Sequence, residues 1–590
     1  MRLSLRDALV LVPAVACVAA GCEEEAPASP EVALPVIEPA AAPVAEPIAR
    51  RVTATTTCPD ALETPDLTDR IIKASCGVVR VKKGYRVDAG TLTLEAGVTL
   101  AFEPEAELTI GYRQPAKLVV AGTREQPVLF TSTETKAAGA WKGLYLYEHA
   151  DGSRIQGLHL EFGGQGIRGP IYVLADDVTI DDSVIRDGLD VAVHVSQKGR
   201  LTSFSGNKVE RMTAKVMMFL PPASVSAVAP DNQFPEGSVI HVLAGIVRER
   251  VRWSNPGVPY VIGGILEIAG EDDETEALLE LSPGTTLKFD EDAYMNVGYY
   301  RPGVLRAEGM PDQPIVFTSA VEQVAGAWRG VSLYKNASAT FSHVTFEYGS
   351  RRVDRGVLFA NSLASLSLQD CIFRDNGGGV VLQGSDLRVS ALARNRWERS
   401  TPALDVSAQA YGYIGEGNVF EASSRIIVEG GAVEHTARWR DLGVPLDVTS
   451  EIRIDNGATL TIDPGVEMRV RDGFTLSVGE LDGGTLRMEG LAEQPIALVG
   501  VNDRRGTWDA IRLHAKSTGN VLQHVKLRNA GGVAAVEVMA GSEAKIEHLG
   551  CARCYSPAVL WNCSSKVTAE SIEISDGTPN ATIPPTGCGS

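Results

Sequence analysis

From about residue 90 onward, apolar and polar side chains alternate in short runs separated by turn residues. Thr91–Leu94, Val98–Phe102, Glu107–Ile110, Lys117–Val120, Pro127–Ser132, Gly143–Tyr147, Gly157–Phe162 and Val178–Ile180 follow this pattern. A period of two over three to six residues predicts half-buried β-strands. The period of an amphipathic helix does not persist over any long stretch. Pro283-Gly284 and Pro464-Gly465 set tight turns. Pro127, Pro314 and Pro495 each open a strand, where a missing N–H is tolerated.

The pattern repeats. Leu94–Phe102 recurs as Leu281–Phe289 and Ile462–Val470, with turn glycines Gly97, Gly284 and Gly465 187 and 181 residues apart. Gln126-Pro127 recurs at the same offsets as Gln313-Pro314 and Gln494-Pro495. Gly139–Trp141 returns as Gly326–Trp328 and Gly506–Trp508, and Trp253 with Gly257–Pro259 returns as Trp439 with Gly443–Pro445. Several independent motifs at one offset define three related units: 85–250, 251–436 and a shorter 437–590. Hairpin turns such as Asn-Gly are few. Short, closely spaced strands therefore predict an all-β fold, a right-handed parallel β-helix capped at both ends. Tandem β-sandwiches are the alternative.

Composition adds the setting. The chain has 590 residues with 44% apolar content, enough for a core, and a net charge of −19 that argues against nucleic acid as partner. Arg2 and Arg6 precede an uncharged run, Ala8–Ala20, too short to span a bilayer but suited to a signal segment. It ends in Ala19-Ala20-Gly21-Cys22, which looks like a lipobox, so 1–21 is expected to be a lipoprotein signal peptide and Cys22 the lipidated residue. Residues 22–57 are a Pro/Ala/Glu-rich tether without hydrophobic period. Residues 58–84 are expected to form an N-terminal cap stapled by Cys58 and Cys76. Cys551, Cys554, Cys563 and Cys588 cluster near the other end, with three pairings open. Cys371 stands alone and reads as a small apolar core residue.

Candidate chemistry is sparse. Trp141, Trp328 and Trp508 recur at a fixed place and are expected to plug the turns. The loops carrying Tyr112 and Arg113, and Tyr299, Tyr300 and Arg301, offer aromatic rings beside guanidinium groups, a pairing that stacks on and hydrogen-bonds a glycan or protein. Arg351, Arg352, Asp354 and Arg355 form a charged insert able to hold an acidic sugar. The Asp176-Asp177 and Asp181-Asp182 pairs read as solvent-facing strand ends rather than a calcium site, and Glu271–Glu276 as a disordered loop. No catalytic set, metal site or cofactor is expected.

Gly97–Phe102, Glu125–Ser132, Gly139–Leu144 and Leu158–Gly163 carry a recognisable series. So do Gly284–Phe289, Asp312–Ser319, Gly326–Leu333 and His343–Gly349. This series resembles bacterial extracytoplasmic lipoproteins with right-handed parallel β-helix (pectate-lyase-like) repeats, over roughly 85–575. The third unit departs at Asp509-Ala510 and Arg528–Ala530. The resemblance strengthens the fold expectation and assigns little function. Together with the leader it points to a lipid-anchored cell-envelope protein, the outer membrane favoured over the inner, periplasmic or surface-exposed. The expected role is structural or ligand- and glycan-binding, with a polysaccharide or surface protein as partner and the membrane reached through the lipid. β-Helices also include pectate lyases and polygalacturonases, so a polysaccharide lyase or glycoside hydrolase is the alternative. No Asn-Thr-Asp, paired Asp with Gly-His-Gly, or Arg-x-Pro-x-x-Arg signature is present.

Overall fold

A computed structural model describes residues 55–56 and 58–583, apart from 167, 353 and 385. The signal segment, Cys22, nearly all of the tether and Cys588 lie outside the described residues. The predicted runs are strands. Gly90–Glu95, Thr99–Phe102 and Glu107–Ile110 make one turn of a solenoid. Each pairs in parallel with its like one turn on: Ala116–Ala121, Val128–Ser132 and Gly143–Leu146. The same parallel register runs through the second and third units. The architecture is a right-handed parallel β-solenoid of about 20 turns, all β with almost no helix. A sandwich needs antiparallel partners within each sheet, which this pairing excludes.

Alternation puts one set of side chains inside, where like stacks on like at about the ~4.8 Å strand spacing. Phe346, Phe373, Trp397 and Phe420 form such a stack, with ring centroids 5.0, 5.3 and 4.6 Å apart and planes within 10°. The repeated motifs have a mechanical reason. Gly97, Gly284 and Gly465 turn at φ of 81, 77 and 89°, the left-handed region that favours glycine. Each donates its N–H to the carbonyl of Gln126, Gln313 or Gln494 one turn on. The glycine and the Gln-Pro motif share an offset because they are bonded neighbours.

The corner between the first and second strands of a turn carries a side-chain ladder. Asn207 Oδ1 accepts from Ser183 N, and Asn232 Oδ1 from Asn207 N, both at 3.0 Å. The second unit repeats this with Cys371, Asn395 and Asn418, again at 3.0 Å. Cys371 thus stands in a serine-like corner position. Its thiol contacts the Gln369 carbonyl at 3.1 Å, as Ser183 Oγ does that of Asp181, and burial pushes it up to about 12.

Successive units do not simply continue one another. Thr286–Phe289 is the sequence counterpart of Thr99–Phe102, yet it lies in the 14-stranded sheet that holds Glu107–Ile110. Glu467–Val470, the third copy, lies in the 18-stranded sheet that holds Tyr294–Val297. Each unit is stepped by one face. A one-turn helix marks each step: α1 (Pro222–Val225) and α2 (Ala408–Tyr411), 186 residues apart. Pro222 suits the first turn, where its missing N–H costs nothing; Ser407 Oγ caps α2 by accepting from Ala410 N. A new sheet opens against each helix, on Gly245–Val247 at α1 and Gly431–Val433 at α2. Among the described cysteines, Cys58 pairs with Cys76 and Cys551 with Cys554, while Cys563 is also disulfide-bonded.

Candidate functional site

The three motif tryptophans are packing elements. Trp141 and Trp328 are fully buried, stacked on Phe102 at 3.9 Å and Phe289 at 4.2 Å. Trp508 leans on Phe474 at 6.3 Å. All three indole N–H groups donate inward, to the carbonyls of Glu161, Glu347 and Arg528. No face is left for a sugar.

The tyrosine loops are different. In the first unit Tyr112 meets Tyr147 edge-on at 4.9 Å, and Arg168 donates to Tyr147 Oη at 3.0 Å while covering the Tyr172 ring at 4.7 Å. In the second unit Tyr299 meets Tyr334 at 4.6 Å, and Arg355 donates to Tyr334 Oη at 2.9 Å while covering the Phe359 ring at 5.0 Å. Every member is 187 residues from its counterpart. The cluster is one device built twice, on the 14-stranded sheet in the first unit and the 18-stranded sheet in the second.

What lies beneath the device differs. On the first unit the outward row Tyr145, Tyr172, His194, Phe219 and His241 forms a ladder of rings, with centroids 6.2, 5.4, 5.4 and 5.1 Å apart. In the second unit the same register reads Ser332, Phe359, Val381, Asp405 and Ile427. Ser332 stands where Tyr145 stands, and Asn296 where Thr109 stands. Removing that ring opens a pocket of about 210 Å³ lined by Tyr294, Asn296, Tyr299, Arg329, Ser332, Tyr334, Arg352 and Arg355. Arg329 caps the Tyr294 ring at 5.3 Å. The first unit has Lys142 paired with Glu107 at 2.9 Å in the corresponding places.

The family model described as a pectate-lyase like beta helix domain matches residues 76–163, within which the first Tyr112–Tyr147 pair falls. The fold is a pectate-lyase-like parallel β-helix. Among curated proteins none matches the sequence.

On this β-helix the remaining sequence candidates divide. Tyr112, Tyr299 and Tyr300 are exposed at 49%, 40% and 68%. Arg113 is exposed. Arg301 is spent on Asp273 at 2.6 Å, and Arg351 on Glu291 at 2.9 Å, outside the pocket. The charged insert therefore splits: Arg352 and Arg355 line the pocket, Arg351 does not. Glu271–Glu276, expected to be a disordered loop, is an ordered turn. Asp272 accepts from the N–H groups of Glu274 and Thr275, and Glu276 pairs with Arg250. Local hydrogen bonding and nearby arginines offset its like charges. Asp177 and Asp182 pair with Arg154 and Arg124, each at 2.7 Å.

Two carboxyl groups share the pocket's outward row. Burial raises Glu267, next to Asn296, and pushes Asp405 up to about 6 with Glu429 adding to it. Five strand steps separate them, or about 24 Å at ~4.8 Å each. Glycoside hydrolysis needs its two carboxylates ~5–9.5 Å apart, so these two cannot work as such a pair. The sequence reading missed Tyr147, Tyr334, Arg168, Asn296 and Ser332. A signal existed for the first three, since Tyr147/Tyr334 and Arg168/Arg355 keep the 187-residue offset. Nothing in the sequence shows that Asn296 and Ser332 face the same cavity until their strands are paired.

Proposed function

We propose that this chain is a lipid-anchored protein of the bacterial cell envelope, favouring the outer membrane, whose β-helix presents a lateral glycan-binding surface and performs no catalysis itself. The observation that carries the binding part is the twice-built Tyr–Tyr–Arg cluster. Aromatic rings beside a guanidinium are the chemistry that packs on sugar rings and bonds their polar substituents. Lipidation at Cys22 followed by a Pro-rich tether would hold the solenoid off the membrane, and the disulfides at Cys58–Cys76 and Cys551–Cys554 suit an oxidising compartment.

Two experiments test this. Cys22→Ala is expected to move the protein from the membrane to the soluble fraction; retention in membranes contradicts the anchor. Affinity electrophoresis in gels containing acidic or neutral polysaccharide is expected to retard the wild-type chain, and the double variant Tyr112→Ala, Tyr299→Ala less. Equal mobility with and without polysaccharide overturns the binding reading. Release of unsaturated sugars or new reducing ends would turn the reading to an enzyme.

A further inference from the structure

We propose that the second-unit pocket binds a small hydroxycarboxylate, its carboxylate on Arg355 and one hydroxyl donated to Asn296 Oδ1. This rests on the ligand-binding reading of the lateral surface and narrows it to one site and one ligand class.

Size comes first. At about 210 Å³ the pocket is below the ~300–1,000 Å³ of sites for drug-sized ligands and equals about seven waters. It suits one small molecule or the last residue of a chain. Charge comes second. Arg329 and Arg352 each have one carboxylate partner, Asp292 at 3.2 Å and Asp354 at 3.1 Å. Arg355 has none among the described residues; it spends one N–H on Tyr334 and keeps the rest of its fork. The lining is therefore one cation in excess, and a planar carboxylate matches a guanidinium fork.

The third observation selects the neighbouring group. Asn296 is 8% exposed, lines the pocket, and its Oδ1 is buried without a hydrogen-bond partner. An unmet buried acceptor calls for a donor. A bare carboxylate does not supply one, and a neutral sugar leaves Arg355 unmatched. A carboxylate with a nearby hydroxyl answers both. Ser332 provides the room; the first unit fills that room with Tyr145.

The test is calorimetric titration of the full chain with D-glucuronate, D-glucose and cyclohexanecarboxylate. Glucuronate is expected to bind at one per chain, at least tenfold tighter than either of the others. Ser332→Tyr, which copies the first unit and whose folding is checked by its melt, is expected to weaken glucuronate at least tenfold. An oligosaccharide ending in glucuronate separates the sources: binding equal to the monomer assigns a chain end, binding of the monomer alone a free acid, and both support the site. Glucose or cyclohexanecarboxylate binding as tightly as glucuronate, glucuronate binding undiminished in Ser332→Tyr, or no glucuronate binding at all overturns it. If the wild-type chain and Ser332→Tyr are equally retarded by polysaccharide while neither takes glucuronate, the lateral-surface reading stands and only this pocket falls. If the wild type is not retarded either, both fall.

Discussion

The outward rows of the first and second units start from the same backbone and end as different surfaces. Strands in one register present Tyr145, Tyr172, His194, Phe219 and His241 in the first unit and Ser332, Phe359, Val381, Asp405 and Ile427 in the second. The first row fills its own space, ring against ring, although the Nδ1 atoms of His194 and His241 are buried there without hydrogen-bond partners. The second leaves a cavity, an unpartnered amide oxygen and a carboxyl group among apolar neighbours. A duplicated scaffold can hold its core constant while one outward substitution per turn decides whether a surface is closed or receptive. Because each unit is stepped by one face, the two surfaces also lie on different sheets and do not merge into one groove.

The comparison predicts a shared core, and this is where the largest effect falls. Trp141→Ala and Trp328→Ala should each cost about 3–5 kcal/mol, and similar amounts, in chemical denaturation. Widely different losses would mean that the two units are not packed alike. The rows should then diverge. Tyr145→Ser removes a ring that is 8% exposed and ends the ladder against Tyr172, and should cost about 2–3 kcal/mol. Ser332→Tyr, placing the first unit's residue in a space the second unit already has, should change stability by less than about 1 kcal/mol. Equal costs for the two exchanges would break the distinction between a filled and an open row.

A third effect is one of pH. The Asp405 carboxyl titrates at about 6 in the folded chain, above its ordinary value near ~3.9. The folded state therefore holds this proton more tightly than the unfolded one between roughly pH 4 and 6, and stability from this group falls as pH rises through that window. Asp405→Asn should melt higher than the wild type at pH 8 and level with it at pH 4. A shift of the same size at both pH values would show that the carboxyl is not the cause. Smallest of all, Arg301→Ala, which breaks an ion pair to a largely exposed Asp273, should alter stability by no more than about 0.5 kcal/mol. A larger loss would make the acidic turn of the second unit a structural part of its surface.

Much of the fold was legible in the sequence because a solenoid writes its period into the chain. Alternation located the strands, and the 187-residue offsets located the units. The one-face steps at α1 and α2 were not legible. A four-residue helix such as Pro222–Val225 has too few residues to show a helical period, and sheet membership depends on pairing across a turn. The site was half legible. Tyr112, Tyr299 and Arg355 drew attention as aromatic and basic residues in turns. Asn296 and Ser332 did not, since each reads alone as an ordinary polar residue on a strand face. Only the register that sets Asn296 beside Ser332, beneath the turn carrying Tyr299, makes them a pocket floor.

The difference between the two rows is tested most directly by a crystal structure of the full chain with D-glucuronate. The account predicts one molecule per chain beside Ser332, with its carboxylate on Arg355 and a hydroxyl within hydrogen-bond distance of Asn296 Oδ1. Glucuronate lying instead over the Tyr145–Tyr172 rings, or in both units alike, would contradict it.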